Sequence, residues 1–177
     1  SLFTIARRRI LWLLILVLAN GLTTKVIAMN DQILKEIVLL AAFIPLLIGT
    51  GGNVGAQSST VVIRGLSTQK LKSLGAIKAV IKEAVTGALL GVLMMLVVFP
   101  FAWWQGEGPL IASAVGISLI SITTLAATTG AILPLLFDKM RLDPALMSSP
   151  FITTVTDIAG VFIYLSTAKW LLNSSII

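Results

Sequence analysis

"IVLLAAFIPLLIGTGGNVGAQSSTVVI" occupies Ile37 to Ile63. Its first twelve residues, through Ile48, are all apolar or proline. It then turns to "GTGGNVGAQSS", with four glycines, an asparagine and a glutamine, before becoming apolar again at "VVI". A bilayer needs about 20 predominantly apolar residues in a spanning helix, so this stretch is long enough to cross one. Its polar centre then lies at membrane depth. Pro45, Gly49, Asn53 and Gln57 are spaced by four, and Thr60 and Arg64 continue the row. At 3.6 residues per turn they form one stripe. Pro45 cannot donate to the carbonyl of Ala41, and Gly51 and Gly52 favour an unwound or bent backbone. Non-helical backbone at this depth must be buried in protein or line a wet cavity. Glycine packing alone explains the glycines, but not Asn53 and Gln57.

The rest of the chain agrees that the solvent is lipid. Of 177 residues, 57% are hydrophobic and 11% charged, with a mean hydropathy of +1.04. A soluble domain carries about 25% charged residues. Long apolar runs without alternation point to helices rather than a barrel. The fold class is therefore an all-α integral membrane protein. Five spans are expected, near Ile10–Ala28, Glu36–Ile63, Val80–Trp104, Leu110–Phe137 and Pro144–Leu172. "RRRILWLLILVLANGL" has no convincing cleavage site after it and reads as the first span. The chain reads as one transmembrane pore domain over 1–177, with no cytosolic domain.

Net charge is +6, but its placement speaks of topology, not nucleic acid. Arg7, Arg8, Arg9, Arg64, Lys70, Lys72, Lys78, Lys82, Lys139 and Arg141 fall on one side of these spans. Lys25, Lys35 and Lys169 fall on the other. The positive-inside rule puts the N-terminus in the cytoplasm, and an odd number of spans puts the C-terminus outside. Trp103 and Trp104 suit an outer interfacial belt, with Trp12 and Trp170 near the chain ends. "RGLSTQKLKSLGAIK" reads as a basic cytoplasmic loop against lipid headgroups.

The chain has no cysteine or histidine. Soft-metal sites and Cys or His catalysis are excluded on that ground, and no enzymatic step is expected. The fifth span carries Asp157 more than a dozen residues into the helix, on a face with Ser149, Thr153 and Gly160. A carboxylate at the bilayer centre costs roughly 2.5–3.5 kcal/mol on insertion scales and is a functional candidate by default. No basic residue stands at matching depth to pair with it. One carboxylate, hydroxyls and free carbonyls form a hard, all-oxygen set suited to Mg²⁺, Ca²⁺, Mn²⁺, Na⁺ or H⁺. The other polar groups read as structural. Glu83 is expected to snorkel or pair beside Lys82, with a pore mouth as the alternative, and Gly87 and Gly91 to pack a helix pair. Ser113, Ser118, Ser121, Thr124, Thr128 and Thr129 are expected to hydrogen-bond between helices.

Two blocks carry a family likeness. "FIPLLIGTGGNVGAQSSTVVIRGL" (Phe43–Leu66) resembles the signature of the MgtE family of magnesium channels and transporters. "DPALMSSPFITTVTDIAG" (Asp143–Gly160) resembles that family's last membrane helix. The resemblance implies a homodimer in the bacterial inner membrane, with an ion path at the interface of the second and fifth helices. It implies that Asp157 from both subunits holds hydrated Mg²⁺, assisted by Gly52 and Asn53 on one side and Ser149 and Thr153 on the other. The family form has Asn where this chain has Ala56 and Ser149, and Ala where it has Thr153. Main-chain contacts there are unaffected by the change. The resemblance also implies a cytosolic Mg²⁺-sensing partner with a paired CBS module, for which 1–177 holds no sequence. A Na⁺-coupled exchanger and a non-transporting assembly subunit are the alternatives to a Mg²⁺ pore.

Overall fold

The computed structural model describes residues 2–68 and 75–174. Every described element is a helix. In chain order these are α1 (Leu2–Ala28), the short α2 (Asp31–Glu36), α3 (Val38–Ser67), α4 (Ala76–Ala102), α5 (Gly108–Lys139) and α6 (Pro144–Ser174). A π-helical turn, Trp103–Glu107, joins α4 to α5. Gly75 and Gly108, with φ of 83° and 74°, take the left-handed backbone that starts α4 and α5. Arg141, at φ 58°, ends α5 without a glycine. There Leu142 N–H donates to Phe137 O at 2.9 Å and Arg141 N–H to Asp138 O at 3.0 Å, a Schellman pattern that satisfies the last carbonyls.

Four helices are long and apolar enough to cross a membrane: Leu39–Ser67, Ala76–Gln105, Gly108–Lys139 and Pro150–Asn173. α1 takes in Arg7–Arg9 near its start and carries an apolar stretch that includes Leu13–Ala28. The count by length and composition is thus four plus α1, where the sequence predicts five. The expected second span also starts later than Glu36. A break at Ile37 (φ −130°) separates α2 from α3. Part of the expected basic loop is helical, since Arg64 to Ser67 finish α3 and Ala76 to Lys78 begin α4; residues 69–74 lie outside the described residues.

α5 is the centre of the bundle, packed against α3, α4 and α6, while α3 and α6 also touch each other and α1 lies mainly against α6. Ala112, Val115, Leu119, Ala126, Ala127 and Ala131 of α5 are fully buried. Lipid gives no hydrophobic drive between helices, so small residues that let backbones close up carry the association. The larger core, around Leu40, Leu47, Leu119, Ile122, Tyr164 and Leu165, fills the half away from the basic loop. α4 turns Ile81, Val85, Leu89, Leu96 and Val97 outward, and α1 does the same with Leu13, Leu14, Val17, Leu18 and Leu22. Such ridges are the surfaces that lipid covers.

Two expectations are corrected. α3 is α-helical without interruption from Val38 to Ser67, through Pro45 and the glycines. Gly51 and Gly55 are occupied in packing: a methyl on Gly51 would lie 2.7 Å from Ile122 Cγ2, and one on Gly55 would collide with Ile152 and stand 3.2 Å from Ala126 O. At Gly51 and Gly55 neighbouring helices take the space a side chain would need, and the α-helix continues through them rather than unwinding. Four of the six α5 hydroxyls expected to bond between helices bond their own helix instead, while Ser118 Oγ is buried with no hydrogen-bond partner among the described residues. Ser113, Ser121, Thr124 and Thr128 donate to the carbonyls four residues earlier, at 2.6–3.1 Å. In lipid this local partner is always within reach, so no neighbouring helix is required.

Candidate functional site: a polar face on the outside of the bundle

The glycine-rich stripe survives as a single face, and that face looks out of the chain. Pro45, Gly49, Asn53, Gln57, Thr60 and Arg64 are all exposed on α3. The alternate positions, Leu47, Gly51, Val54, Gly55, Ser58 and Val62, are buried. The helix thus divides its small residues. Gly51 and Gly55 turn toward α5 and α6, while Gly49 faces open space, with no atom within 4 Å of where a methyl would sit.

α6 runs antiparallel to α3 along this face. The register follows from the close approaches: Ile48 against Gly160, Gly51 against Thr156, Gly52 against Thr153 and Gly55 against Ile152. A methyl on Gly52 would stand 3.8 Å from Thr153 Cγ2. Gly52 and Thr153 therefore meet, and Asn53 and Thr153 are both exposed beside that contact. Asp157 is half-buried one turn along α6 from Thr153, level with Gly49–Gly52. It is the fourteenth residue of a 31-residue helix, near its middle. Ser149 belongs to α6, one turn before Thr153, and its side chain lies outside the described residues. Gly160 leaves the group that the sequence put on one face. It turns inward, 3.7 Å from Ile122 Cδ1 for a methyl placed there.

Three threonines precede Asp157 on α6 and bond back to their own helix. Thr153 Oγ1 and Thr154 Oγ1 each donate to Pro150 O at 3.0 Å, and Thr156 Oγ1 donates to Ile152 O at 2.9 Å. Of the three, Thr153 alone is exposed on the Asp157 side, while Thr154 and Thr156 are buried and serve the packing of α6. Among the described residues no three acidic groups gather as a metal cluster. One chain thus offers a single carboxylate with amide, hydroxyl and carbonyl oxygens near it. That set suits a cation that keeps most of its water.

Glu83 was missed as a buried group. It is 9% exposed on α4, whereas Lys82 is exposed. Ala79, Glu83, Gly87 and Gly91 form the buried row of α4, which overturns the expected snorkelling. The signal was their spacing by four, placing Glu83 on the glycine face.

A polytopic helical bundle with a carboxylate and amides on an outward face at mid-helix defines a class, the membrane transport proteins. Comparison with known proteins narrows it. Residues 44–167 match the MgtE family, described as divalent cation transporter, and the chain belongs to that family. Over 166 residues it is 38% identical to the magnesium transporter MgtE of Thermus thermophilus, covering 94% of this chain and 37% of that protein. It is 33% identical over 173 residues to the magnesium transporter MgtE of Bacillus subtilis (97% and 38%), and 35% identical over 168 residues to that of Enterococcus faecalis (93% and 36%). The chain thus spans little more than a third of the length of these relatives. With its apolar helices it is a multi-pass protein of the bacterial plasma membrane.

Proposed function

We propose that two copies of this chain form a pore for Mg²⁺ at the interface between their α3 and α6 faces. The observation that carries this reading is the exposure of Asn53, Gln57, Thr60 and Thr153 along one face, beside half-buried Asp157. A polar stripe at membrane depth cannot rest on lipid without loss. A second copy of the same stripe, with water between, satisfies it. The two Asp157 carboxylates then face a shared hydrated ion, and Mg²⁺ typically binds through one or two carboxylates and retained waters. Gly52, Asn53, Ser149 and Thr153 supply the surrounding oxygens. In this assembly α1 is the fifth span, the N-terminus is cytoplasmic and the C-terminus lies outside. The cation moves down the membrane potential, gaining about 2.3 kcal/mol per charge per 100 mV, so about twice that for a divalent ion. A cytosolic Mg²⁺-sensing portion carrying a paired CBS module is the partner that would close it.

The test is Mg²⁺ uptake into proteoliposomes at a set potential, with and without a Na⁺ gradient. Potential-driven uptake that needs no Na⁺ is the expected result. Uptake that appears only with a Na⁺ gradient would make the protein an exchanger, and a tight dimer without flux in either condition would make it an assembly subunit.

A further inference from the structure

A second polar feature lies away from the Asp157 face. The turn after α1, the α2–α3 break and the last turns of α6 enclose an open cavity of about 460 Å³. Lys169, in its wall, follows Asp157 by twelve residues. On an α-helix that is about 18 Å along the axis and about 120° around it. The cavity therefore differs from the α3–α6 stripe in both depth and direction.

Its wall has two characters. Ile33, Ile37 and Leu172 form an apolar side, and Ile33 is 8% exposed. Lys169, Asn30 and Asn173 form a polar side, and among the described residues no carboxylate lines the cavity. The neighbouring acid on α2, Asp31, is engaged by Lys35 at 2.5 Å. Asn30 is held in place, its Nδ2 donating to Val26 O at 2.7 Å. A cation would meet the Lys169 ammonium unopposed, so cargo ions are poor occupants. A purely apolar molecule would ignore the ammonium and two amides. An anion attached to an apolar tail matches both sides. The depth also fits, since exposed Trp170 adjoins Lys169, and tryptophans at span ends mark the headgroup level.

We propose that this cavity binds a phospholipid with an anionic headgroup, in the leaflet away from the basic loop. The Lys169 ammonium pairs with the phosphodiester, a charge-assisted contact. The Asn30 and Asn173 amides hydrogen-bond to phosphate or headgroup oxygens, and an acyl chain lies along Ile33, Ile37 and Leu172. Such a lipid bridges α2 and the end of α1 to α6.

Native mass spectrometry of the purified protein tests this, with phosphatidylglycerol and phosphatidylcholine of matched chains and with soluble glycerol phosphate as probes. The expected result is one phosphatidylglycerol per chain, retained at least tenfold better than phosphatidylcholine. Lys169→Gln should abolish that preference, Lys169→Arg should keep it, and Lys25→Gln, on α1 outside the cavity, should leave it unchanged. Asn173→Leu gives a second, independent loss if Lys169→Gln does not yield folded protein. Equal retention of the two lipids, an unchanged preference in Lys169→Gln or Asn173→Leu, or full displacement of the lipid by glycerol phosphate would each overturn the proposal.

Discussion

The seam between α4 and α5 and the outward face of α3 and α6 use much the same residues, glycine and threonine at helical spacing, to opposite ends. In the seam a methyl on Gly87 would stand 2.6 Å from both Ala127 Cβ and Thr123 O, and one on Gly91 would collide with Thr123 Oγ1 and lie 2.5 Å from Ile120 Cα. At the α3–α5 crossing a methyl on Gly130 would collide with the carbonyl oxygen of Gly55. These glycines allow backbone to touch backbone, which is how helices associate in lipid. On the outward face Gly49 meets nothing within 4 Å, and Asn53 and Gln57 stand beside it exposed. A small residue is thus not informative by itself. Its meaning depends on whether the neighbours four residues away are apolar and buried or polar and exposed.

The largest effect should come from filling the close backbone contacts of the seam and of the α3–α5 crossing. Gly130→Ala and Gly91→Leu force a side chain into backbone, and overpacking of this kind costs about 1–3 kcal/mol or more. Both should lower the yield of monodisperse protein and its unfolding temperature in detergent. Gly49→Ala should leave yield unchanged. Equal damage at Gly49 would erase the distinction between the two regions.

The next effect is on transport alone. Asp157→Asn should reduce Mg²⁺ uptake at least tenfold while the unfolding temperature holds or rises, because a lone charge at membrane depth has been removed. Gln57→Leu, further along the same face, should reduce uptake by a smaller factor, with folding intact. A loss of folded protein in either variant would move these residues from the pathway into the core.

The smallest effect is expected in α5. Thr124 Oγ1 donates to Ile120 O at 2.6 Å within its own helix, so Thr124→Val should change stability by less than about 1 kcal/mol, in line with the ~0.6 kcal/mol average for hydrogen bonds in membrane bundles. Reversible unfolding in mixed micelles would measure it, and a drop of several kcal/mol would reveal a bond between helices.

Much of this was legible in the sequence. Hydropathy places the four long helices within a few residues, because length and apolar content dominate in lipid. The stripe Pro45–Gly49–Asn53–Gln57 follows from spacing alone. The unbroken helicity of α3 does not, because Gly51 and Gly55 read as helix breakers until Ile122, Thr156 and Ile152 are seen beside them, contacts distant in sequence. Nor does the burial of Glu83, since a charge beside Lys82 reads as solvated until the glycine row below it is seen to meet α5. The inward turn of Gly160 was hidden for a related reason. It stands about 60° from Asp157 around the helix, enough to separate a wall from a core. The partners of the α5 hydroxyls were open for another reason, since one periodicity serves bonds within a helix and between helices.

If the outward α3–α6 face lines a water-filled path, a residue on it is open to water at membrane depth. The chain has no cysteine, so single substitutions can be labelled without background. Asn53→Cys on α3 and Leu89→Cys on the apolar ridge of α4, both exposed in the single chain, would be reconstituted and treated with a charged, water-soluble thiol reagent during Mg²⁺ uptake. The expected result is that the reagent reacts at position 53 and stops uptake, and that position 89 stays unlabelled with uptake intact. A position 53 that resists the reagent as position 89 does, or labelling there without loss of uptake, would contradict it.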